Sequence, residues 1–148
     1  ARVADQIRAH SAAMPGVHEI LALCASLGWR IGLASNSPAV LCQLVLSELG
    51  IARAFHAVVS ADFVEQGKPD PAVYLQAAQR LGVPAGQCIA FEDSATGVRA
   101  ARAAGMSVVA VPSLGQTFAS ENSTPHLTLG GLAEFDEEHA AILARRII

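Results

Sequence analysis

The sequence predicts an α/β fold: a doubly wound, Rossmann-like parallel sheet with helices on both faces. Three observations carry this. Short apolar runs alternate with stretches of helical periodicity. The links between them are short, which makes successive strands parallel with a helix crossing over between them. Four helical stretches stop at glycine (Gly28, Gly50, Gly82 and Gly105), the residue that most readily turns left-handed at a helix end.

Residues 1–12 are helix-compatible and amphipathic, with Val3, Ala4 and Ile7 on one side, and Pro15-Gly16 breaks the chain after them. Residues 17–27 place Val17, Ile20, Leu21, Cys24 and Leu27 on a helical period, ended by Gly28. Residues 29–35 (WRIGLAS) form an apolar run suited to a buried parallel strand. Ser37-Pro38 reads as an N-cap followed by proline at the first helical position, with the helix reaching Leu49 before Gly50. Residues 57–60 make a second strand. Residues 71–81 make a helix closed by Gly82, and residues 88–91 a third strand. Residues 95–104 form a helix closed by Gly105, and residues 107–111 a fourth strand. Residues 112–126 are a polar loop and residues 127–129 a short edge strand. Residues 132–146 read as one final helix, acidic early (Glu134, Asp136, Glu137, Glu138) and basic at its end (Arg145, Arg146), as the helix dipole favours.

Composition narrows the function classes. Of the 148 residues, 52% are hydrophobic and 16% charged, which excludes disorder. The mean hydropathy of +0.39 comes largely from alanine. The longest apolar runs, such as residues 20–25, fall far short of the ~18 residues of a spanning helix. No basic-then-apolar signal segment opens the sequence. A net charge of −3 and a pI near 5.9 argue against a nucleic-acid or anionic-membrane partner. Cys24, Cys42 and Cys88 lie in apolar surroundings at no metal-ligand spacing and read as reduced core thiols of a cytoplasmic protein. Of the ten basic residues counted as lysine or arginine, only Lys68 is lysine.

In a parallel sheet, ligands bind where strands end and helices begin. The polar clusters fall at that edge. Ser35, Asn36 and Ser37 offer hydroxyls, an amide and backbone N–H groups before a helix, a combination that holds phosphate. Lys68 offers a point positive charge. Glu92 and Asp93 are adjacent carboxylates at the end of an apolar strand, hard oxygen donors that suit Mg²⁺. Anion donors, a cation and a divalent-metal site are the parts of a phosphoryl-transfer centre. Each also has a plainer role. Ser37 serves mainly as a helix cap, Lys68 could be a solvated loop cation, and Asp93 and Ser94 could cap the next helix. Asp70 shapes the turn at residues 68–71, and Trp29 packs at a strand start. His10, His18, His56, His126 and His139 show no ligand pairing. A charge at Glu92, on a buried strand end, demands a partner.

Four stretches carry a family resemblance: Met14-Pro15-Gly16-Val17, Gly32-Leu33-Ala34-Ser35-Asn36-Ser37, Gly67-Lys68-Pro69-Asp70-Pro71 and Phe91-Glu92-Asp93-Ser94-Ala95-Thr96-Gly97. Their order fits, with Lys68 33 residues after Ser35 and Asp93 25 after Lys68. The chain resembles the haloacid dehalogenase superfamily of phosphohydrolases, within the subfamily of β-phosphoglucomutase and the sugar-phosphate phosphatases. The resemblance implies that Ser35 and Asn36 bind the phosphoryl group and that Lys68 neutralises phosphate and nucleophile. It implies that Asp93, assisted by Glu92, holds Mg²⁺, and that Gly97 lets its helix pack closely. Ser35 and Lys68 are the expected catalytic residues.

The family's nucleophile, the first aspartate of an Asp-x-Asp-Gly motif, has no counterpart in residues 1–148. The resemblance therefore implies the C-terminal portion of a longer protein. Residues 1–13 would be the end of a helical cap or a linker helix, and residues 14–148 a partial core domain. In the family the nucleophile strand lies between the strands ending at Ser35 and Glu92. Without it the two strands are expected to face a gap, to be closed by the N-terminal segment, by another copy of the chain, or by the strands meeting. The function implied is a Mg²⁺-dependent phosphatase acting on a small phosphorylated metabolite, with a sugar phosphate expected. A phosphomutase is the alternative, and a non-catalytic phosphate- or partner-binding remnant another. A haloacid dehalogenase fits less well because its chemistry needs no metal. A response-regulator receiver has its acidic pair before the hydroxyl and lysine, the reverse of the order here.

Overall fold

A computed structural model of the chain describes residues 15–112, Phe118 and residues 123–147. The helical stretch expected at 1–12, most of the loop expected at 112–126, and the side chains of Arg145 and Arg146 lie outside the described residues. The elements run α1 (Val17–Ser26), β1 (Gly32–Ser35), α2 (Ala39–Glu48), β2 (Ala57–Ser60), α3 (Ala72–Leu81), β3 (Ile89–Glu92), α4 (Ala95–Ala103), β4 (Ser107–Ala110), β5 (Leu127–Thr128) and α5 (Glu137–Ile147). All strand pairs are parallel. Gly28, Gly50, Gly82 and Gly105 sit at φ between 68° and 86°, the left-handed conformation expected of them.

Alternating residues of β3 and β4 face two cores. Ala90, Val108 and Ala110 join Val73, Ala77, Val98 and Ala101 of α3 and α4. Val109, with Ile89 and Phe91, joins Ile20 and Cys24 of α1 and Ala140 and Leu143 of α5. The period of two in the strands thus builds a layer of helices on each side. Trp29 packs against the second core, as expected.

The described strands form two sheets rather than one. β1 pairs with β2 in register Gly32 to Ala57 through Ser35 to Ser60. β3, β4 and β5 form the other sheet. Between the facing edges of β1 and β3 lies a mainly apolar cavity of about 260 Å³, lined by Ile31, Gly32, Leu33 and Ala34 on one side and Ile89, Ala90 and Phe91 on the other. The gap expected between these strands is present, and they do not close up. Its consequence is visible in β1. The expected buried strand over 29–35 shortens to four residues, of which Gly32 is exposed and the other three half-buried.

The expected helix over 132–146 is two elements. A 3₁₀ turn, Leu132–Glu134, is followed by extended backbone at Phe135, and α5 starts afresh. Phe135 is buried edge-on against Phe91. Asp136 then caps α5, its Oδ1 accepting the His139 N–H at 2.9 Å. That N–H and the His139 side chain hold the exposed Asp136 carboxyl below its ordinary range. Since its folded pKa is lowered, this cap is intact above the ordinary carboxylate range and fails as pH falls through the lowered value.

Two histidines extend the ladders by one rung. His56 donates its backbone N–H to Ile31 O at 2.7 Å, and its Nδ1 accepts the Ile31 N–H at 3.0 Å. His126 does the same with Val108, at 2.8 Å in both directions. In each case the imidazole Nδ1 serves as the acceptor that a strand carbonyl would otherwise supply. Val108 is fully buried. The substitution His126→Ala is expected to leave its N–H without an acceptor and to cost about 1–3 kcal/mol in denaturant unfolding. His126→Asn, whose Oδ1 can take the place of Nδ1, is expected to recover most of that loss.

Candidate active site

The carboxyl ends of β1 and β3 meet one loop. β1 delivers Ser35 and, just beyond it, Asn36. β3 delivers Glu92 and, just beyond it, Asp93. The loop before α3 delivers Lys68, and its Lys68–Pro69 peptide is cis. Asn36 clamps the lysine's backbone: its Oδ1 accepts the Lys68 N–H at 2.7 Å and its Nδ2 donates to Lys68 O at 3.2 Å. This explains Gly67, where a Cβ would lie 2.6 Å from Asn36 Oδ1. The Lys68 Nζ then reaches back to Glu92 Oε1 as an ion pair. The side chains are only 12% and 6% exposed, so the charge at Glu92 has the partner it requires.

Tyr74, in the first turn of α3, was not among the residues the sequence brought forward. Its hydroxyl donates to Glu92 Oε1, and its ring lies under the Lys68 ammonium, 4.8 Å from Nζ to centroid. Burial, the Glu92 charge and the hydrogen bond to it push the phenol well above its ordinary pKa. Tyr74 therefore stays a donor at neutral pH. A tyrosine at an apolar helical position 18 residues before a buried carboxylate is the signal that was available.

Glu92 also depends on an absent side chain. Gly97, in the first turn of α4, faces its carboxylate so closely that a Cβ there would collide with all three carboxyl atoms. The sequence expectation that Gly97 brings helix and sheet together is thus sharpened: the atom it makes room for belongs to Glu92. α4 is capped by Ser94, whose Oγ accepts the Gly97 N–H at 3.2 Å. That role was shared in expectation between Ser94 and Asp93, and the structure gives it to Ser94. Asp93 stands exposed at the mouth.

The first hydroxyl cluster is arranged differently from its reading as a cap. Ser37 makes no side-chain capping bond to α2, whose N-cap residue is Pro38. Asp62, 23 residues away, supplies the cap by accepting the Ala39 N–H at 2.9 Å. Ser35 Oγ accepts the Ser37 N–H at 3.0 Å, which leaves its own O–H as a donor. Ser60 Oγ ties down Ser37 O at 2.6 Å. Asp70 shapes its turn as expected, accepting the Ala72 N–H at 2.9 Å.

A metal can be tested only against the donors present. Glu92 and Asp93 are two hard carboxylates in sequence, and no cluster of three His, Cys, Asp or Glu occurs among the described residues. Two carboxylates, completed by water and substrate oxygens, fit the needs of Mg²⁺. The site thus combines a hydroxyl donor, a buried ammonium and a carboxylate pair.

In an isolated helix, alanine in place of glycine gains about 1 kcal/mol. Gly97→Ala is expected to do the opposite, lowering the denaturation midpoint because the Glu92 carboxylate must move off Lys68 and Tyr74. In a Glu92→Ala background the same change is expected to stabilise. Stabilisation by Gly97→Ala alone would contradict this geometry.

Residues 1–105 match the sequence family described as haloacid dehalogenase-like hydrolase. Over 99 residues the chain is 42% identical to hexitol phosphatase B of Escherichia coli (strain K12), which covers 67% of the chain and 45% of that protein. It superposes with a TM-score of 0.76 and 25% identity on the crystal structure of CbbY from Rhodobacter sphaeroides in complex with phosphate, covering 88% of the chain and 61% of that structure. It superposes with a TM-score of 0.75 and 28% identity on β-phosphoglucomutase from Clostridium difficile, covering 89% and 56%. The chain spans about half the length of the curated relatives it matches. From the family match, the identity and the shared architecture, the chain belongs to the haloacid dehalogenase-like hydrolases.

Proposed function

We propose that the protein to which this chain belongs is a Mg²⁺-dependent phosphatase of a small sugar or sugar-alcohol phosphate, working through an aspartyl-phosphate. The observation that carries this reading is the joining of three parts at one edge: the Ser35 hydroxyl, the Lys68 ammonium clamped by Asn36, and the Glu92-Asp93 pair. Hexitol phosphatase B supports the substrate class by its name.

In this reading the Ser35 hydroxyl and the backbone N–H of Asn36 hold phosphoryl oxygens, while the Asn36 amide keeps Lys68 in place. Lys68 neutralises charge on the phosphoryl group and on the attacking carboxylate. Asp93, with Glu92, would hold Mg²⁺, which when bound supplies charge neutralisation of the phosphoryl oxygens. The nucleophile is an aspartate outside residues 1–148, and the cavity between β1 and β3 is where its strand enters, hydrogen-bonded to both edges. A carboxylate oxygen bonds to phosphorus as the sugar oxygen departs with a proton from the second aspartate of the Asp-x-Asp-Gly motif, and that aspartate takes a proton back from the water that hydrolyses the acyl phosphate. Residues 1–13 would be the end of a helical cap or a linker helix, and the three free thiols suit a reducing compartment such as the cytoplasm. A phosphomutase is the second reading, favoured by the likeness to β-phosphoglucomutase. It would pass the phosphoryl group to a second sugar hydroxyl instead of to water.

Residues 1–148 alone are expected to give no aspartyl-phosphate with acetyl phosphate and no phosphate release from hexose or hexitol phosphates. The chain preceded by a strand bearing Asp-x-Asp-Gly and a cap is expected to release phosphate, and to stop when EDTA removes Mg²⁺. In that protein Lys68→Ala is expected to cost about 10²–10³-fold in kcat, and Asp93→Asn to abolish the Mg²⁺-dependent rate. Isomerised sugar phosphate in place of free phosphate would establish the mutase. Turnover by residues 1–148 alone, or near-normal turnover in either variant, would contradict the assignment.

A further inference from the structure

A second polar cavity, of about 640 Å³, lies beside the turn that carries Lys68 and is lined by that turn and by α4. Gln66, Gly67, Pro69 and Asp70 form one wall, and Arg99 and Arg102 the other. Lys68 itself is not in the lining: its ammonium points to Glu92, so this cavity meets the other side of the turn. On α4 the residues facing the sheet are Gly97, Val98, Ala100 and Ala101, whereas Arg99 and Arg102 are exposed.

Two like charges three residues apart on one helix face repel each other. Arg99 makes no hydrogen bond or ion pair with another described residue, and Arg102 uses Nη1 on Thr124 O at 2.6 Å. Asp70 lines the same cavity but pairs with neither arginine. Its Oδ1 holds the Ala72 N–H, and no bond among the described residues engages Oδ2, which can still accept. One wall therefore asks for an oxyanion, which a pair of guanidinium forks binds well. The other, with Asp70 and Gln66, asks for hydroxyl donors.

We propose that this cavity is a second binding site for a small phosphorylated polyol, separate from the phosphoryl-transfer site. The phosphate sits between Arg99 and Arg102, and hydroxyls reach Asp70 and Gln66. The occupant contacts Gly67 and Pro69, the neighbours of Lys68, so it bears on the placement of the lysine. This goes beyond the phosphatase reading and needs no turnover to test.

Titration of the ¹⁵N-labelled 148-residue chain with glucose 6-phosphate, followed by amide chemical shifts, tests it, with inorganic phosphate and glucose run in parallel. The proposal expects saturable shifts at Gly67, Asp70, Arg99 and Arg102, tighter for glucose 6-phosphate than for phosphate and absent with glucose. The double substitution Arg99→Ala and Arg102→Ala is expected to weaken binding by about tenfold or more, and Ser35→Ala to leave these shifts intact. Arg99→Lys with Arg102→Lys keeps charge but loses the fork, so it is expected to weaken binding as well. No saturable shifts at these residues would overturn the proposal, as would shifts centred on Ser35 and Asn36. Equal response to phosphate and glucose 6-phosphate, unaffected by the arginine substitutions, would mean an adventitious ion only and would also overturn it.

Discussion

The buried ion pair between Lys68 and Glu92 is the constraint to which the rest of the site answers. A carboxylate this far from water is costly unless an opposite charge and further donors satisfy it. Lys68 and Tyr74 both address the same oxygen, Oε1. Gly97 leaves room for the carboxylate, and Gly67 leaves room for the amide that fixes the lysine. Four residues on three segments are thus determined by one charge on β3.

The pair also spans the division in the fold. β1 and β2 share no ladder with β3, β4 and β5. At the carboxyl edge the connection runs from Asn36, beyond β1, through the Lys68 backbone and side chain to Glu92 on β3. Deeper in the molecule α3 joins the two halves, with Tyr74, Ala77 and Ala78 lining the cavity between them. In the proposed reading, a parallel strand with an aspartate at its carboxyl end enters that cavity.

Much of this was legible in the sequence because it is local. Among the described residues, helical period, glycine stops and short apolar runs located each helix and strand to within a few residues, apart from the final helix. The lone lysine and the paired carboxylates stood out in the sequence, and the fold brings Lys68 and Glu92 together. What remained hidden depends on contacts between distant segments. Tyr74 reads as an apolar helix residue, and only the fold puts its hydroxyl on Glu92. Asp62 caps a helix 23 residues earlier, and His56 and His126 complete ladders through side chains that carry no pattern in sequence. The break at Phe135 was missed because apolar residues continue at helical spacing across it, while the buried Phe91 contact draws the backbone out. The second cavity needs two segments, 66–70 and 99–102, that sequence order does not connect.

The central claim is that Lys68 and Glu92 act as one unit. A double-mutant cycle by denaturant unfolding measures this directly, with Lys68→Met, Glu92→Gln and the double substitution in the 148-residue chain. Each single change leaves a buried group without its partner and should cost about 3–5 kcal/mol. The double change should cost well under the sum, with a coupling of about 1.5 kcal/mol or more. Additive costs would contradict the account.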